Sequence, residues 1–290
     1  MMESSTKRAI SVHIFVRTIA SVKQKELMNI IALIKQVPDT AQLSSRVDGL
    51  KLMAEGEPRI VNPWDEYTLE TAIQLKEAHG SKVIVVCLGR PEAADALKTG
   101  LAMGADEAIL ISDAAFEGGD SLSTARVLAA AINKIGDYDI IVAGRSAIDG
   151  NSAATAVQVA ALLSIPQISY VAELKTIDPA AKTITAVRLL EAGRETVSSK
   201  LPAVITVVKE INEPRYPSFI GIRRAARATI PVWGLDDLGL EGNTAGSAGA
   251  QVKWEVNLPP ARDAKVEIID GSPGEAAKIL VDKLIAEKLM

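Results

Sequence analysis

Four short, unbroken apolar runs punctuate the chain: residues 30–34 (IIALI), 83–88 (VIVVCL), 108–111 (AILI) and 140–143 (IIVA). Strands covered on both faces lose the apolar–polar alternation, so runs of this length predict a parallel sheet buried between layers. Between them lie helical patterns. Leu69, Ala72, Ile73 and Lys76 mark one over 64–77, Ala93, Leu97 and Leu101 a second over 91–103, and a third spans 121–135. Strand and helix alternate, which predicts an α/β fold with a doubly wound, mostly parallel sheet. The first helix has a legible start, with Asn62 as N-cap, Pro63 at the first helical position, and Asp65 and Glu66 at the positive end of the dipole. Gly80 and Gly104 stand where helices stop, and His79 closes the first one at its negative end.

After Leu174 the pattern changes to alternation, over 183–190 and 195–200, with turn sequences DPAA and EAG before another apolar strand at 203–208. That predicts a β-hairpin excursion that returns to the sheet. Residues 234–261 are rich in Gly, Ala, Ser, Asp and Asn and lack periodicity, as expected of an extended arm. Ser272, Pro273 and Glu275 then form a capping box that opens a C-terminal helix with Ile279, Leu280, Leu284 and Ile285 on one face. That helix is expected to dock either on its own domain or on another subunit. Three parts follow: 1–27, 28–233, and an arm with its helix over 234–290. The first part carries Lys7, Arg8, Arg17, Lys23 and Lys25 beside a short apolar patch broken by His13. It reads either as a weak basic targeting leader or as the product of an upstream start, with Met28 the true start; the second is favoured because Met28 and Asn29 run straight into a strand.

Composition narrows the function more by exclusion. At 290 residues and 48% hydrophobic, the chain has material for one large α/β domain with an ample core. A net charge of −4 and a pI near 5.4 argue against a nucleic-acid surface. No apolar run reaches the ~18 residues of a membrane span, so no direct membrane insertion is expected. The one cysteine, Cys87, lies inside an apolar run and reads as a buried thiol in a reducing compartment. With two histidines, His13 and His79, neither near a nucleophile, a zinc site or a Ser-His-Asp triad is disfavoured. Neither G-x-G-x-x-G nor a P-loop is present.

What remains is GRSAIDGNSAAT, residues 144–155, between a buried strand and a helical segment. A small-residue loop at the carboxyl end of a strand, leading into a helix capped by Asn151 or Ser152, points free backbone N–H groups beyond the sheet, where α/β proteins bind anions. Gly144 and Gly150 allow close backbone approach, Ala153 and Ala154 leave room, and Ser152 and Thr155 offer hydroxyls. The plain alternative is a capped helix after an Asp-Gly turn.

From Met28 to about Trp233 the chain resembles the beta subunit of electron transfer flavoproteins. The words that carry the likeness are IKQVPDT (34–40), NPWDEYTLE (62–70), LAMGADEA (101–108), GRSAIDG (144–150), KLPAVITV (200–207) and NEPRYPSF (212–219), in order. Each alone is weak; six in sequence are specific. The resemblance implies a Rossmann-like, adenine-nucleotide-binding fold and a heterodimer in which an alpha subunit holds a redox-active FAD. The beta-subunit pocket then holds AMP as a structural ligand in respiratory members, or a second FAD that accepts hydride from NADH in electron-bifurcating ones. Carried onto this chain, the cofactor-binding positions are Leu33; Asn62, Pro63, Trp64 and Asp65; Leu88; and a loop made of Gly144, Arg145, Ser146, Ala147, Ile148, Asp149, Gly150, Asn151, Ser152, Ala153, Ala154 and Thr155. The stretch AFEGGDSLSTA (115–125) resembles the bifurcating type, in which Ser121 and Thr124 contact the flavin.

The resemblance further implies an electron carrier rather than a classical enzyme, with no catalytic side chain and no metal of its own. Its partners are the alpha subunit, flavin dehydrogenases, and a downstream quinone oxidoreductase or a ferredoxin or flavodoxin. The location implied is cytoplasmic, or the mitochondrial matrix if residues 1–27 are a transit peptide. Phe219, in NEPRYPSF, matches the apolar anchor of the family's partner-recognition loop. Pro214 and Pro217 predict that a new surface segment begins at Ser218, leading into a short helix with a basic side. Three departures stand out: Asn151 where an acidic residue is common, Ala153 and Ala154 in place of a more polar pair, and Leu189 where a carboxylate usually follows Arg188. The alternative is a stand-alone adenine-nucleotide-binding sensor or stress-type protein of related fold. An ATP-using enzyme is disfavoured, because Arg145 is the only cation in the loop.

Overall fold

The computed structural model describes residues 28–39, 58–253 and 266–290, together with the backbone of 47–48 and 51–52. The expectations for residues 1–27 lie outside the described residues. Strand β1 (Asn29–Ile34) is followed by two short pairs outside the main sheet, β2 (Gln36–Pro38) with β5 (Arg59–Val61) and β3 (Val47–Asp48) with β4 (Lys51–Leu52). The chain continues through α1 (Pro63–His79), β6 (Lys82–Leu88), α2 (Ala94–Met103), β7 (Glu107–Ile111), α3 (Ser121–Ile135), β8 (Ile140–Gly144) and α4 (Thr155–Leu163). Three long strands follow, β9 (Gln167–Asp178), β10 (Thr183–Leu190) and β11 (Gly193–Lys200), then β12 (Ala203–Val207), α5 (Phe219–Ala225), β13 (Val232–Trp233), α6 (Gly246–Gly249) and α7 (Pro273–Ala286).

The nine-stranded sheet has the order β11-β10-β9-β12-β8-β1-β6-β7-β13. Its pairings are parallel except at the β9-β10-β11 edge, which is antiparallel. The doubly wound α/β expectation holds, and the expected hairpin joins the sheet as its antiparallel edge. The alternate residues of each central strand explain why the runs are apolar throughout. Ile30, Ala32 and Ile34 of β1 join Val85 of β6 and Val142 of β8 in one core with Leu69 and Ile73 of α1 and Leu97 of α2. Ile31 and Leu33, with Val86 and Ile141, join a second core with Leu128 and Ile132 of α3 and Val159 of α4. Cys87 is buried in the first of these, and burial pushes its thiol up to about 12, far from reactivity.

Beyond Trp233 the chain does not leave the sheet at once. Leu235, Leu238 and Leu240 pack against the second core, and Ala245 is fully buried in it. A second compact unit takes in β3 and residues 266–290. In it Ser272 and Glu275 close the expected capping box of α7, the Ser272 N–H donating to Glu275 Oε2 (3.0 Å), and Lys283 pairs with Glu267. Among the described residues no helix is long and apolar enough to cross a membrane.

Candidate cofactor site

Strand order reverses at β1: the chain moves outward through β6 and β7 and returns to β1's other side with β8. At such a switch point the loops beyond the carboxyl ends part and leave a crevice. A cavity of about 1180 Å³ lies there. Its wall takes in all the cofactor-binding positions expected from the sequence except Pro63, Trp64 and Ile148.

The loop of residues 144–155 is shaped by contacts from below. Gly144 ends β8 against the start of α1, so close that a Cβ there would lie 2.3 Å from Asp65 Oδ1 and 2.9 Å from the Trp64 Cβ. Asn62, expected to cap α1, occupies the N-cap position but makes no side-chain cap. Its amide instead works as a detached peptide unit: Nδ2 donates to the Ser146 carbonyl (2.9 Å), and Oδ1 accepts from the Ile148 N–H (3.1 Å). Two buried loop groups are thereby satisfied across 84 and 86 residues of sequence. The second correction concerns the next helix. Neither Asn151 nor Ser152 caps it; α4 begins at Thr155 behind Ala154, with no side-chain cap. The loop stays in left-handed conformations at Asn151 (φ 45°) and Ala153 (φ 51°), which delays the helix. For alanine that conformation costs about 1 kcal/mol or more, and it persists because the surrounding structure enforces it. The helix start has no side-chain cap, and Thr155 and Ala156 of its first turn line the cavity, the arrangement an anion site requires.

Charge is distributed unevenly around this loop. Asp65 is buried below it, accepting from the Lys35 backbone N–H at 2.7 Å. Burial pushes its carboxyl up to about 7, against the lowering effect of hydrogen bonds from Lys35, Asn62 and Gly144 and of the Lys35 charge. The Lys35 ammonium reaches over to Asp149, 2.8 and 2.7 Å from its two oxygens. Arg145 lies with its guanidinium 4.8 Å from the Trp64 ring centre and 5.6 Å from that of Tyr170. Its Nε, the Ser146 hydroxyl and Gln158 Oε1 are buried with no protein partner. Arg145 and Ser146 line the cavity, and unsatisfied buried polar atoms there are what a polar ligand would complete.

The far wall rests on Asp120. One of its oxygens caps α3 by accepting from the Ser123 N–H (2.8 Å), and the other accepts from the N–H groups of Gln251 (2.7 Å) and Val252 (3.0 Å). These bonds, that of Ser123 foremost, hold its carboxyl down to about 2. Ser121 and Thr124, on the first turn of α3, line the cavity, and so does Val252. Asp120→Ala removes the cap and both tail bonds; we expect a loss of about 2 kcal/mol in chemical denaturation and faster proteolysis within residues 244–252. Sequence reasoning missed Lys35, Arg90, Asp113 and Phe116 on the cavity wall. Lys35, Arg90 and Asp113 follow the ends of β1, β6 and β7, so the rule that ligands sit beyond strand ends could have found them. Val252 carries no such signal.

Phe219 lies apart from this cavity. It opens α5, capped by Ser218, whose Oγ accepts from the Gly221 N–H at 2.9 Å. Phe219 is 74% exposed and its neighbours Tyr216 and Ile220 are 95% and 80% exposed, so the ring does not tuck into the sheet.

With this geometry in place, comparison with known proteins is direct. Residues 49–238 match the family model described as the electron transfer flavoprotein domain. The chain is 40% identical over 262 residues to an electron transfer flavoprotein subunit beta of Clostridium acetobutylicum, covering 90% of this chain and 99% of that protein. It is 39% identical over 259 residues to the caffeyl-CoA reductase-Etf complex subunit CarD of Acetobacterium woodii, covering 89% and 98%. To Protein FixA of Azorhizobium caulinodans it is 37% identical over 266 residues, covering 90% and 93%. A strand-end crevice, a small-residue loop on its wall and near-complete alignment with these relatives agree: the chain belongs to the electron transfer flavoprotein family, on its beta-subunit side.

Proposed function

We propose that this chain pairs with an alpha subunit holding a redox-active FAD, and that it binds a second FAD in its own cavity, so that the heterodimer moves electrons between flavin dehydrogenases and a downstream acceptor. The observation that supports a flavin over AMP is the extent of the cavity. At about 1180 Å³ it exceeds the ~300–1,000 Å³ of ordinary small-ligand pockets. It does not end at the loop of residues 144–155 but runs past Leu33 and Leu88 to Ser121, Thr124 and Phe116. The orphaned polar atoms of Arg145 and Ser146 on its wall fit a ligand with phosphate and hydroxyl groups.

In this reading the loop N–H groups, with the hydroxyls of Ser152 and Thr155, hold the phosphates, while Asn62 fixes the loop's height above Asp65. Ser121 and Thr124 hold the opposite end. A bound flavin supplies one- and two-electron redox chemistry, and the protein contributes position and electrostatics. Lys35, already paired to Asp149, keeps the loop from becoming a second negative centre next to a phosphate. The C-terminal helix α7 docks on the alpha subunit, while the chain through Val252 stays with the nucleotide-binding part; Ile279, Leu280 and Ile285 offer apolar surface for that docking. Phe219 anchors in the dehydrogenase. The downstream acceptor is a quinone oxidoreductase, a ferredoxin or a flavodoxin, and the place of action is the cytoplasm.

The test is a nucleotide count. Acid extraction of the purified heterodimer is expected to release two FAD per complex and no AMP. One FAD with one AMP would overturn the second flavin and leave a simple carrier. A chain that retains adenine nucleotide and forms no complex with an alpha subunit would overturn the carrier reading in favour of a sensor.

A further inference from the structure

The exposed residues around Phe219 do not hang from a loose loop. The segment between β12 and α5 is fastened to α1 at two levels. Asn212 Nδ2 donates to Thr71 Oγ1 (2.8 Å) and to the Tyr67 carbonyl (3.2 Å). Three residues on, Arg215 spreads its guanidinium between two carboxylates of the same helix. Nε and Nη2 donate to the two oxygens of Glu70 (2.8 and 3.0 Å), while Nη1 and Nη2 donate to the two oxygens of Glu77 (2.6 and 3.0 Å). The Arg215 backbone N–H also reaches Glu70 Oε2, at 3.2 Å. Glu70 and Glu77 are seven residues apart, about two turns on one helix face, so a single planar fork can bridge them.

The energetics show what this arrangement achieves. Glu70 is buried at 3% exposure, and a buried carboxylate costs several kcal/mol unless paired. An apolar pair of similar volume commonly serves stability as well or better, so what the ion pair adds is a fixed geometry. Arginine holds that geometry where lysine does not, because five donors in one plane fix orientation as well as distance. The next residue after this clamp is Tyr216, the most exposed large hydrophobic side chain among the described residues, and proline stands on both sides, at Pro214 and Pro217. The far end of the segment is fixed as well. Arg224 Nη2 donates to the Ala105 carbonyl at 2.7 Å, and a Cβ on Gly221 would lie 2.1 Å from the Ala102 carbonyl oxygen, so α5 rests on the end of α2 through its backbone. Both attachments hold the backbone and leave Tyr216, Phe219 and Ile220 bare.

We propose that Glu70, Glu77 and Arg215 form a positioning clamp that presents Tyr216, Phe219 and Ile220 to the partner dehydrogenase in a preformed arrangement. The proposal rests on the reading of this segment as the partner-docking surface. Preformation lowers the ordering cost of binding, so the clamp acts on partner affinity and not on the electron-transfer step itself. It also ties the surface to α1, whose first turn carries Asp65 into the cavity wall.

The experiment uses the purified heterodimer and, as probe partner, a flavin-dependent acyl-CoA dehydrogenase that reduces the wild-type complex saturably. Reduction is followed while the carrier concentration is varied. Arg215→Gln is expected to raise the apparent KM for the carrier about fivefold or more, with kcat and flavin content unchanged, and Arg215→Lys to fall between it and wild type. Because Arg215→Gln strands a buried carboxylate, the double variant Glu70→Met with Arg215→Met accompanies it; its apolar pair keeps the fold, and it is expected to raise KM alike at an unchanged melting temperature. Phe219→Ala runs in parallel. An unchanged KM in the double variant beside a raised KM in Phe219→Ala overturns the clamp and spares the docking surface. A raised KM in the double variant beside an unchanged one in Phe219→Ala upholds the clamp and moves the anchor to Tyr216 or Ile220. If neither variant raises KM, both readings fall.

Discussion

Gly144→Ala is expected to destabilise the protein by about 3 kcal/mol or more and to strip the adenine nucleotide from the heterodimer. The added methyl has no empty space to enter: it would lie 2.3 Å from Asp65 Oδ1, 2.9 Å from the Trp64 Cβ and 3.0 Å from the Trp64 carbonyl carbon. One of these is backbone, which cannot swing aside as a side chain can. Either the first turn of α1 moves off the end of β8, or the loop of residues 144–155 lifts from Asn62 and loses the bonds at Ser146 and Ile148. Both routes widen the crevice proposed to hold the phosphates. In a domain of this size 3 kcal/mol corresponds to a fall in melting temperature of roughly 10 °C. Gly150→Ala is the control, since a Cβ at that position meets nothing within 4 Å in the same loop. Its melting temperature should match wild type. Equal behaviour of the two variants would show that the tight contact below Gly144 does not exist in solution.

The parts of this architecture that were legible in the sequence are those in which one physical demand governs a whole stretch. β1, β6, β7 and β8 are covered on both faces, so every buried position in them is apolar and the runs stand out. The third helix begins at Ser121 and ends at Ile135, as its pattern indicates, because Asp120 and Gly136 bracket it. β9 was not legible: it lies between β10 and β12 with mixed exposure, so its residues answer to different surroundings one by one. The loop of residues 144–155 was recognised from its small residues and its place, yet its internal geometry was not. Asn followed by Pro is the ordinary signature of a helix cap, and nothing local tells that the Asn62 amide is drawn instead to Ser146 and Ile148. The left-handed turn at Ala153 is likewise invisible, because alanine is a strong helix former and gives no cue for it. Lys35 with Asp149 and Asp120 with Val252 are contacts across 114 and 132 residues, made by the fold and not by any neighbour in the chain.

The buried carboxyl of Asp65 gives the molecule a pH dependence of unusual sign. Its value of about 7 in the folded protein stands above the 3.8 of an ordinary aspartate, chiefly because burial disfavours the charge. A raised carboxyl contributes stability that is fully present below the unfolded value and is lost as pH rises through the folded one. Most other shifted carboxylates run the other way. Asp120 is held down to about 2, and Asp113, Glu70 and Glu77 are also lowered by their hydrogen bonds; their contribution is present above the ordinary carboxylate range and is lost only in acid. Glu66 is raised by its own partial burial and adds to the Asp65 trend at the acid end. The windows therefore separate: from about pH 5.5 to about pH 8 the ionisation of Asp65 dominates among the described groups, and it should lower stability by about 2 kcal/mol across that span. The groups facing it bear this out as a local effect, since Lys35 is already committed to Asp149 and Cys87 stays a neutral thiol throughout the range. Asp65→Asn removes the titration and should flatten the slope, whatever the lost acceptor at the Lys35 N–H does to the baseline. A phosphate group in the cavity would oppose ionisation of Asp65 further, so nucleotide release should grow easier as pH rises toward 8 in wild type and stay level in Asp65→Asn. Chemical denaturation and nucleotide retention measured across this range in both proteins read the effect twice, and a wild-type slope that persists in Asp65→Asn would place its source elsewhere.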